Sequence, residues 1–289
     1  MKKISFIKMS GAGNDFIVIN KNNFPELIFN NDSVRKLCDR RNGIGADGLI
    51  TVAGSNGLYD FVMNYYNSDG STGSLCGNGA RCAVRFAEYS DFAKEKFVKF
   101  LSNGVEYTGE IIKTDFSKVN FNAPSDVKLN FNIKAAGQLI KCSFMNTGSP
   151  HVIININDVL ENIENNSSFF TDINVFPVVQ IGREIRYLDV FSTGGTNVNF
   201  IQVTGDKVLI RTYERGVEDE TLSCGTGSVA SALAAHFNSG INPPVSLLTR
   251  GGDTLTVNFS SEGQKISNLS LSGPARIIFA GEFLYNEFF

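Results

Sequence analysis

Two cysteines of this chain stand in matching surroundings. Cys76 opens the segment "CGNG" and Cys224 opens the segment "CGTG". Each follows a polar turn, and each precedes a run of small and apolar residues that is typical of an enclosed helix. At a helix N-terminus the unpaired N–H groups and the helix dipole favour a thiolate, and the same amides can hold a carboxylate. The sequence therefore predicts two cysteines that favour the thiolate, each beside a carboxylate cradle.

Other interpretations of these cysteines are weaker. A single cysteine in a helical segment is most often a small buried hydrophobic residue, which is what we expect for Cys38, Cys82 and Cys142. The presence of two matching motifs favours a functional role for Cys76 and Cys224 over a purely structural one. A dinucleotide loop is disfavoured because neither copy completes the Gly-x-Gly-x-x-Gly pattern after a strand. A regulatory disulfide between Cys76 and Cys224 remains a hypothesis of a different class.

The composition excludes several classes of protein. The 289 residues include 26 Lys and Arg against 29 Asp and Glu, with a net charge of -3 and no basic stripe, so no nucleic-acid partner is expected. No run is apolar enough to span a bilayer, so we expect no membrane partner and a cytoplasmic location. Five irregularly spaced cysteines and two histidines favour neither a disulfide framework nor a metal centre. The expected partner is a small molecule, with no metal and no cofactor.

The elements that position the cysteines are mainly short alternating segments, which predict a β-rich α+β chain. Strands are expected at 3–9, 118–123, 184–191, 253–259 and 268–273, and helices at 33–40, 78–89, 156–163 and 226–238.

The two halves of the chain echo each other, which suggests an internal duplication. The segment at 66–70 matches that at 213–216, and the Gly-rich turn and strand at 11–19 matches that at 194–203. Pro124 and the turn residues near it suggest a boundary. We expect one domain over 1–123 with the returning strand in 273–289, carrying Cys76, and a second over 124–272, carrying Cys224.

A series of motifs closely resembles the diaminopimelate epimerase family. The motifs are "KMSGAGNDF" (8–16), "GIGADG" (43–48), "NSDGSTGSLCGNGARC" (67–82), "GSPH" (148–151), "GTNVNF" (195–200), and "YERG" with "SCGTGS" (213–228). The resemblance implies a cofactor-independent epimerase that interconverts LL- and meso-diaminopimelate for lysine and peptidoglycan precursors. It also implies two pseudo-symmetric domains, each a β-barrel-like sheet around a central helix, and a homodimer.

The resemblance assigns roles to individual residues. It implies Cys76 and Cys224 as the acid/base pair, with His151 and Glu214 as further catalytic residues that contact the substrate's amino group or tune the cysteines. Substrate binding is implied for Asn14, Asn67, Asn197, Glu214, Arg215 and the amides of Gly77, Asn78, Gly225 and Thr226, with Glu214 also near the reacting groups.

Two departures from the family pattern concern substrate fit. Ser149 stands where an asparagine is usual, and Glu218 with Asp219 replaces a glycine in a loop that is one residue longer. A racemase of the same fold with another amino-acid substrate is therefore the alternative.

Overall fold

The computed structural model describes residues 2–55, 57–72, 75–164, 168–191 and 194–289. The chain divides into two compact units, Met1–Asn120 with Ser272–Phe289 and Phe121–Leu271. Both units are α+β and consist mainly of strands. In the described part of the chain, no helix has the length and apolar character needed to cross a bilayer.

The first unit is a sheet built around one buried helix. Its elements are β1 (Lys3–Gly11), β2 (Asn14–Asn20), α1 (Asn31–Cys38), β3 (Gly48–Gly54), β4 (Phe61–Asn67), α2 (Gly77–Tyr89), β5 (Phe97–Ser102), β6 (Val105–Lys113) and β7 (Phe116–Asn120). Helix α2 packs against β1 to β4, β6 and β7. Most of its side chains are buried, so α2 forms the centre of this unit as the sequence predicts.

The second unit repeats this plan. Its elements are β8 (Ser125–Ala135), β9 (Gln138–Asn146), β10 (Pro150–Asn155), α3 (Val178–Arg186), β11 (Asn197–Thr204), β12 (Lys207–Glu214), β13 (Asp219–Thr221), α4 (Gly225–Ser239), β14 (Val245–Leu248) and β15 (Thr254–Glu262). Helix α4 is buried over its first eleven residues and packs against strands β8 to β12, β14 and β15. It is the counterpart of α2.

The chain leaves the second unit within β16 (Lys265–Pro274) and ends with β17 (Arg276–Leu284) in the first. Strand β17 pairs with β1 in antiparallel register from Lys3 opposite Leu284 to Ser10 opposite Arg276. The buried ring of Phe283 joins the core formed by Ile4, Phe6 and neighbouring residues of β1, β2 and α1. The first unit is therefore discontinuous in sequence.

Strand pairing corrects one part of the predicted duplication. In the first unit β2 runs parallel to β3, which is antiparallel to β4; in the second β10 runs parallel to β11, which is antiparallel to β12. The turns after β4 and β12 correspond, as predicted from 66–70 and 213–216. The pairing of 11–19 with 194–203 is wrong, because the counterpart of β2 is β10 and the counterpart of β11 is β3. The two segments share only a Gly-rich turn followed by Asn, and this local likeness does not reflect equivalent positions in the two sheets.

Two predicted elements are also wrong. The segment 184–191 is not a strand but the end of α3 followed by a 3-10 turn, because Val178, Ile181 and Ile185 are buried at helical spacing. The segment 156–163 does not form an α-helix, because its only helical part is a 3-10 turn at Ile156–Asp158. There the side chain of Gln138 binds both the N–H and the carbonyl of Leu160, which removes the groups that a helix would use.

Candidate active site

Cys76 is the N-cap residue of α2. Its backbone is extended, with φ -83° and ψ 114°, and its Sγ accepts a hydrogen bond from the N–H of Gly79 at 3.4 Å. Serine and aspartate usually fill this role, since an N-cap side chain must accept a bond from the third helical residue. A sulfur in this position faces the positive end of the helix, which favours the thiolate. Gly77 is the first residue of the helix.

A chain of amide hydrogen bonds links the first turn of α2 to β2. Asn78 is fully buried, and its Nδ2 donates to Oδ1 of Asn14 at 2.6 Å. Asn14 Nδ2 then donates to Oδ2 of Asp47 at 2.9 Å. The structure therefore brings two predicted substrate-binding residues together and fixes the orientation of the Asn14 amide. Asp47 has no predicted role, although it lies in the "GIGADG" motif.

Charged residues stabilise the Asp47 end of this series of hydrogen bonds. Arg40 donates to Asp15 and to Asp47, each at 2.7 Å, and Lys8 pairs with Asp15 at 2.8 Å. Burial alone would raise the pKa of Asp15, but the hydrogen bonds and charges of Arg40 and Lys8 outweigh it and lower the pKa to about 2. Asp15 is therefore ionised at neutral pH and anchors both cations beside Asp47.

Asn67 is the last residue of β4 and begins the turn that leads to Ser71. Its Nδ2 donates to the hydroxyl of Ser71 at 3.0 Å. The turn requires a glycine at position 70, where φ is +87° and an added Cβ would lie 2.3 Å from Cα of Asn31. Residues 73 and 74, which lead from this turn towards Cys76, lie outside the described residues.

Cys224 is the N-cap residue of α4. Its backbone is extended, with φ -121° and ψ 117°, and its Sγ accepts from the N–H of Gly227 at 3.4 Å. The hydroxyl of Thr226 lies 3.6 Å from the same sulfur. Gly227 cannot be larger, because a Cβ there would lie 2.3 Å from Oδ1 of Asn199. Gly225 begins the helix, so the cap repeats that of Cys76.

His151 is fully buried and contacts the first turn of α4. Its Nε2 lies 2.9 Å from the hydroxyl oxygens of both Thr226 and Ser149, and its Nδ1 lies 3.1 Å from Nδ2 of Asn199. Burial, together with the positive charge of Arg215, lowers the pKa of His151 to about 3. His151 is therefore a neutral imidazole at physiological pH. Sequence reasoning missed Asn199, a buried polar residue inside the "GTNVNF" motif.

Asn197 fixes the backbone of Arg215. Its Oδ1 accepts from the Arg215 N–H at 2.9 Å, and its Nδ2 donates to the carbonyl of Pro150 at 2.9 Å. Asn197 is buried, so these bonds orient the amide firmly. Burial, with the nearby charge of Arg186, lowers the pKa of Arg215. An anion beside Arg215 would relieve both effects.

The loop after Glu214 has a clear local structure. Glu214 ends β12 and accepts from the Thr221 hydroxyl at 2.7 Å. Glu218 has a left-handed backbone, with φ +59°, a conformation that glycine adopts more readily. Its carboxylate accepts from Arg186 at 3.0 Å and from the Gly216 N–H at 3.0 Å. These bonds offset the backbone strain and hold the loop that carries Arg215.

No group of three or more His, Cys, Asp or Glu side chains could hold a metal ion in the described ranges. The chemical groups present are instead two helix-capping sulfurs, the amides that follow them, and polar side chains suited to carboxylate and ammonium groups. This arrangement suits proton transfer beside a bound carboxylate.

Comparison with solved structures defines the class of fold. The chain matches the crystal structure of a probable proline racemase from Agrobacterium radiobacter K84 with a TM-score of 0.73, over 98% of this chain and 93% of that chain, at 14% identity. The chain therefore shares the α+β fold of that structure, and each of its units surrounds a central helix, as predicted.

Sequence relatives identify the family. The family model for diaminopimelate epimerase matches residues 6–123 and 143–278. The diaminopimelate epimerase of Chlorobaculum tepidum is 39% identical over 278 residues, which cover 94% of this chain and 98% of the relative. That of Aquifex aeolicus is 36% identical over 289 residues, covering 96% and 97%. The chain belongs to the diaminopimelate epimerase family and is an isomerase.

Proposed function

We propose that this chain interconverts LL- and meso-diaminopimelate without a cofactor, using Cys76 and Cys224 as the two proton carriers. The observation that carries the proposal is that both cysteines are N-caps of the central helices, with each sulfur accepting an N–H bond from the helix it caps. This position favours a thiolate and leaves the following amides suited to a carboxylate.

The chemistry requires strong electrostatic support. The α-hydrogen of an amino acid is a very weak acid, so the charge that develops on its removal must be stabilised by fixed dipoles. The helix N-terminal amides at Gly77 and Asn78, and at Gly225 and Thr226, are suited to this. One thiolate removes the proton from one face of the α-carbon, the other thiol delivers a proton to the opposite face, and the roles exchange in the reverse reaction.

The remaining polar residues select the substrate in this proposal. Arg215 binds the distal carboxylate, for which a guanidinium fork is geometrically suited. Asn14, Asn67 and Asn197 contribute amide groups, directly or by fixing their neighbours. Glu214 binds an ammonium group. The lowered pKa of Arg215, a partly buried cation near Arg186, supports a carboxylate ligand at this position.

The cellular setting is part of the same proposal. We place the enzyme in the cytoplasm, in the synthesis of lysine and peptidoglycan precursors; its five free cysteines support a reducing compartment. We also propose a homodimer. The half-exposed apolar side chains of Ile278 and Phe279 on β17 support a subunit contact.

A chiral assay tests the proposed reaction. Pure protein, dialysed against a chelator and treated with hydroxylamine to trap carbonyl cofactors, should convert LL-diaminopimelate to the meso form. In deuterated water, early product should carry deuterium at the inverted centre while unreacted substrate keeps its hydrogen. Cys76→Ala and Cys224→Ala should each lose activity beyond the roughly 10²–10⁴-fold typical of one general acid or base.

Cys142→Ala is the matched control. Cys142 is buried within β9 and its pKa is raised to about 12 by burial, so its loss should leave turnover close to that of the native protein. The proposal fails if metal or pyridoxal phosphate restores a lost activity, if Cys76→Ala turns over normally, or if another amino acid is the preferred substrate in a turnover panel.

A further inference from the structure

The hydroxyl of Thr226 lies at the centre of a group of polar side chains beside Cys224. Its Oγ1 is 2.9 Å from Nε2 of His151, 3.2 Å from Oγ of Ser149 and 3.6 Å from Sγ of Cys224. All of these residues except Ser149 are buried. The direction in which Thr226 points its single proton therefore affects the charge that the sulfur can carry.

Asn199 determines the direction of this network. Its Nδ2 donates to the carbonyl oxygen of Val152 at 3.0 Å, and its Oδ1 accepts from the hydroxyl of Thr212 at 3.0 Å. A carbonyl oxygen can only accept, so the orientation of the amide is fixed. The Nδ2 that faces Nδ1 of His151 is thus a donor, and Nδ1 must be the acceptor.

The tautomer of His151 follows from this contact. A neutral imidazole that accepts at Nδ1 carries its proton on Nε2. Burial keeps His151 neutral, since its pKa is lowered to about 3. The Nε2–H faces the hydroxyl oxygens of Thr226 and Ser149, so it donates to one or both of them. A Thr226 oxygen that accepts this bond has its own proton left to donate.

We propose that Thr226 is a positioning residue whose hydroxyl donates a hydrogen bond to the Cys224 thiolate, and that Ser149 competes for the same proton. This inference rests on the proposed function, in which Cys224 acts as a base in one direction. It gives the side chain of Thr226 a role beyond that of its backbone amide. It also gives the side chain of Ser149 a role.

Alkylation of the thiols tests the proposal without any epimerase assay. Iodoacetamide reacts with the thiolate, so the rate at each cysteine, followed by peptide mass spectrometry from pH 5 to pH 10, reports its ionisation. Thr226→Val removes the donor but keeps the shape of the side chain. We expect the alkylation of Cys224 at pH 7 to fall about tenfold, which corresponds to a rise of about one pKa unit. Thr226→Ser should restore the rate.

The chain provides three controls. Ser228→Ala removes a hydroxyl of the same helix turn, but that hydroxyl donates to the backbone carbonyl of Cys224 at 2.8 Å and not to its sulfur. This variant should leave the alkylation rate of Cys224 unchanged. Cys76, in the other unit, should keep its alkylation rate in every variant. Ser149→Ala removes the competing acceptor, so the Cys224 rate should stay the same or rise. Circular dichroism verifies that each variant is folded.

The outcomes separate this inference from the proposed function. Folded Thr226→Val with unchanged alkylation of Cys224 would overturn the inference, and so would a fall in Ser149→Ala as large as that in Thr226→Val. Neither result would affect turnover of diaminopimelate by the native protein. Conversely, a native protein that fails to epimerise diaminopimelate but shows the expected alkylation pattern would overturn the proposed function alone.

Discussion

A cysteine at the N-cap combines two roles that usually belong to different residues. Cys76 and Cys224 each cap the N-terminus of a helix by accepting a hydrogen bond from a backbone N–H of its first turn. Each therefore presents a sulfur at the positive end of that helix. The negative charge that improves the cap also makes the thiolate a base. Substitution by serine preserves the cap geometry but replaces a titratable thiol by a hydroxyl of much higher pKa, so stability and proton transfer can be separated at these positions.

His151 gives a pH-dependent prediction at the residue scale. Its pKa is lowered from an ordinary value of 6.5 to about 3, so between these values the unfolded chain binds a proton that the folded protein does not. Its contribution to stability is complete above pH 6.5 and is lost as the pH falls. The native protein should therefore lose about 2 kcal/mol between pH 7.5 and 5.0 that His151→Gln does not lose. Urea unfolding at both pH values measures this difference, and equal losses would show that His151 is protonated in the folded state.

The residues of the candidate site differ in how far the sequence could predict them. Cys76 and Cys224 are evident from local pattern, since a capping residue and the helix it begins are adjacent in the chain. Asp47 and Asn199 are not, because their roles depend on the register between strands distant in sequence. Asn199 reaches His151 only because β10 and β11 run parallel, with His151 opposite Asn197. Such contacts are decided by tertiary packing.

At the scale of elements, helices α2 and α4 were predictable and α3 was not. The central helices begin with a cap and continue with small and apolar residues that leave few alternatives. The segment that forms the end of α3 also has the alternation of a strand, and only the burial of Val178 and Ile181 upstream reveals its helical face. Similarly, the helical pattern at 156–163 is overruled by the bonds between Gln138 and Leu160.

Strand β17 gives a prediction at this scale. Removal of residues 276–289 takes away the partner strand of β1 and the buried ring of Phe283. The core around Ile4 and Phe6 then loses packing contacts on one side. Hydrogen exchange followed by mass spectrometry should show lost protection in β1, β2 and α1, with protection retained in α4. Ala280→Ser is the control, because that side chain is exposed and its strand stays paired. Full protection of β1 in the truncated chain would show that β17 is dispensable.

At the scale of the whole molecule, the two units differ in continuity. The second is one uninterrupted segment with its own buried core, formed by residues such as Ile140, Val152 and Phe200. The first needs two separate segments of chain. Similar architecture is thus reached with different connectivity, and only the second unit is continuous in sequence.

A fragment consisting of residues 121–271 tests this difference. We expect it to fold cooperatively, with native-like circular dichroism and dispersed NMR signals, and to alkylate at Cys224 with the pH dependence of the full chain. It should not epimerise diaminopimelate, because the proposed reaction requires Cys76. An unstructured fragment would show that the second unit depends on the first for its stability.

The position of β17 also sets the order in which the protein can be completed on the ribosome. Residues of the first unit are translated first, yet that unit cannot close until the second has been made. At ordinary rates of synthesis, an edge of β1 stays open for on the order of ten seconds. An open edge is a template for pairing with other chains, and lysine is a residue that discourages it. Lys3 is an exposed residue of β1, so the strand carries such a lysine during the interval in which its edge is open.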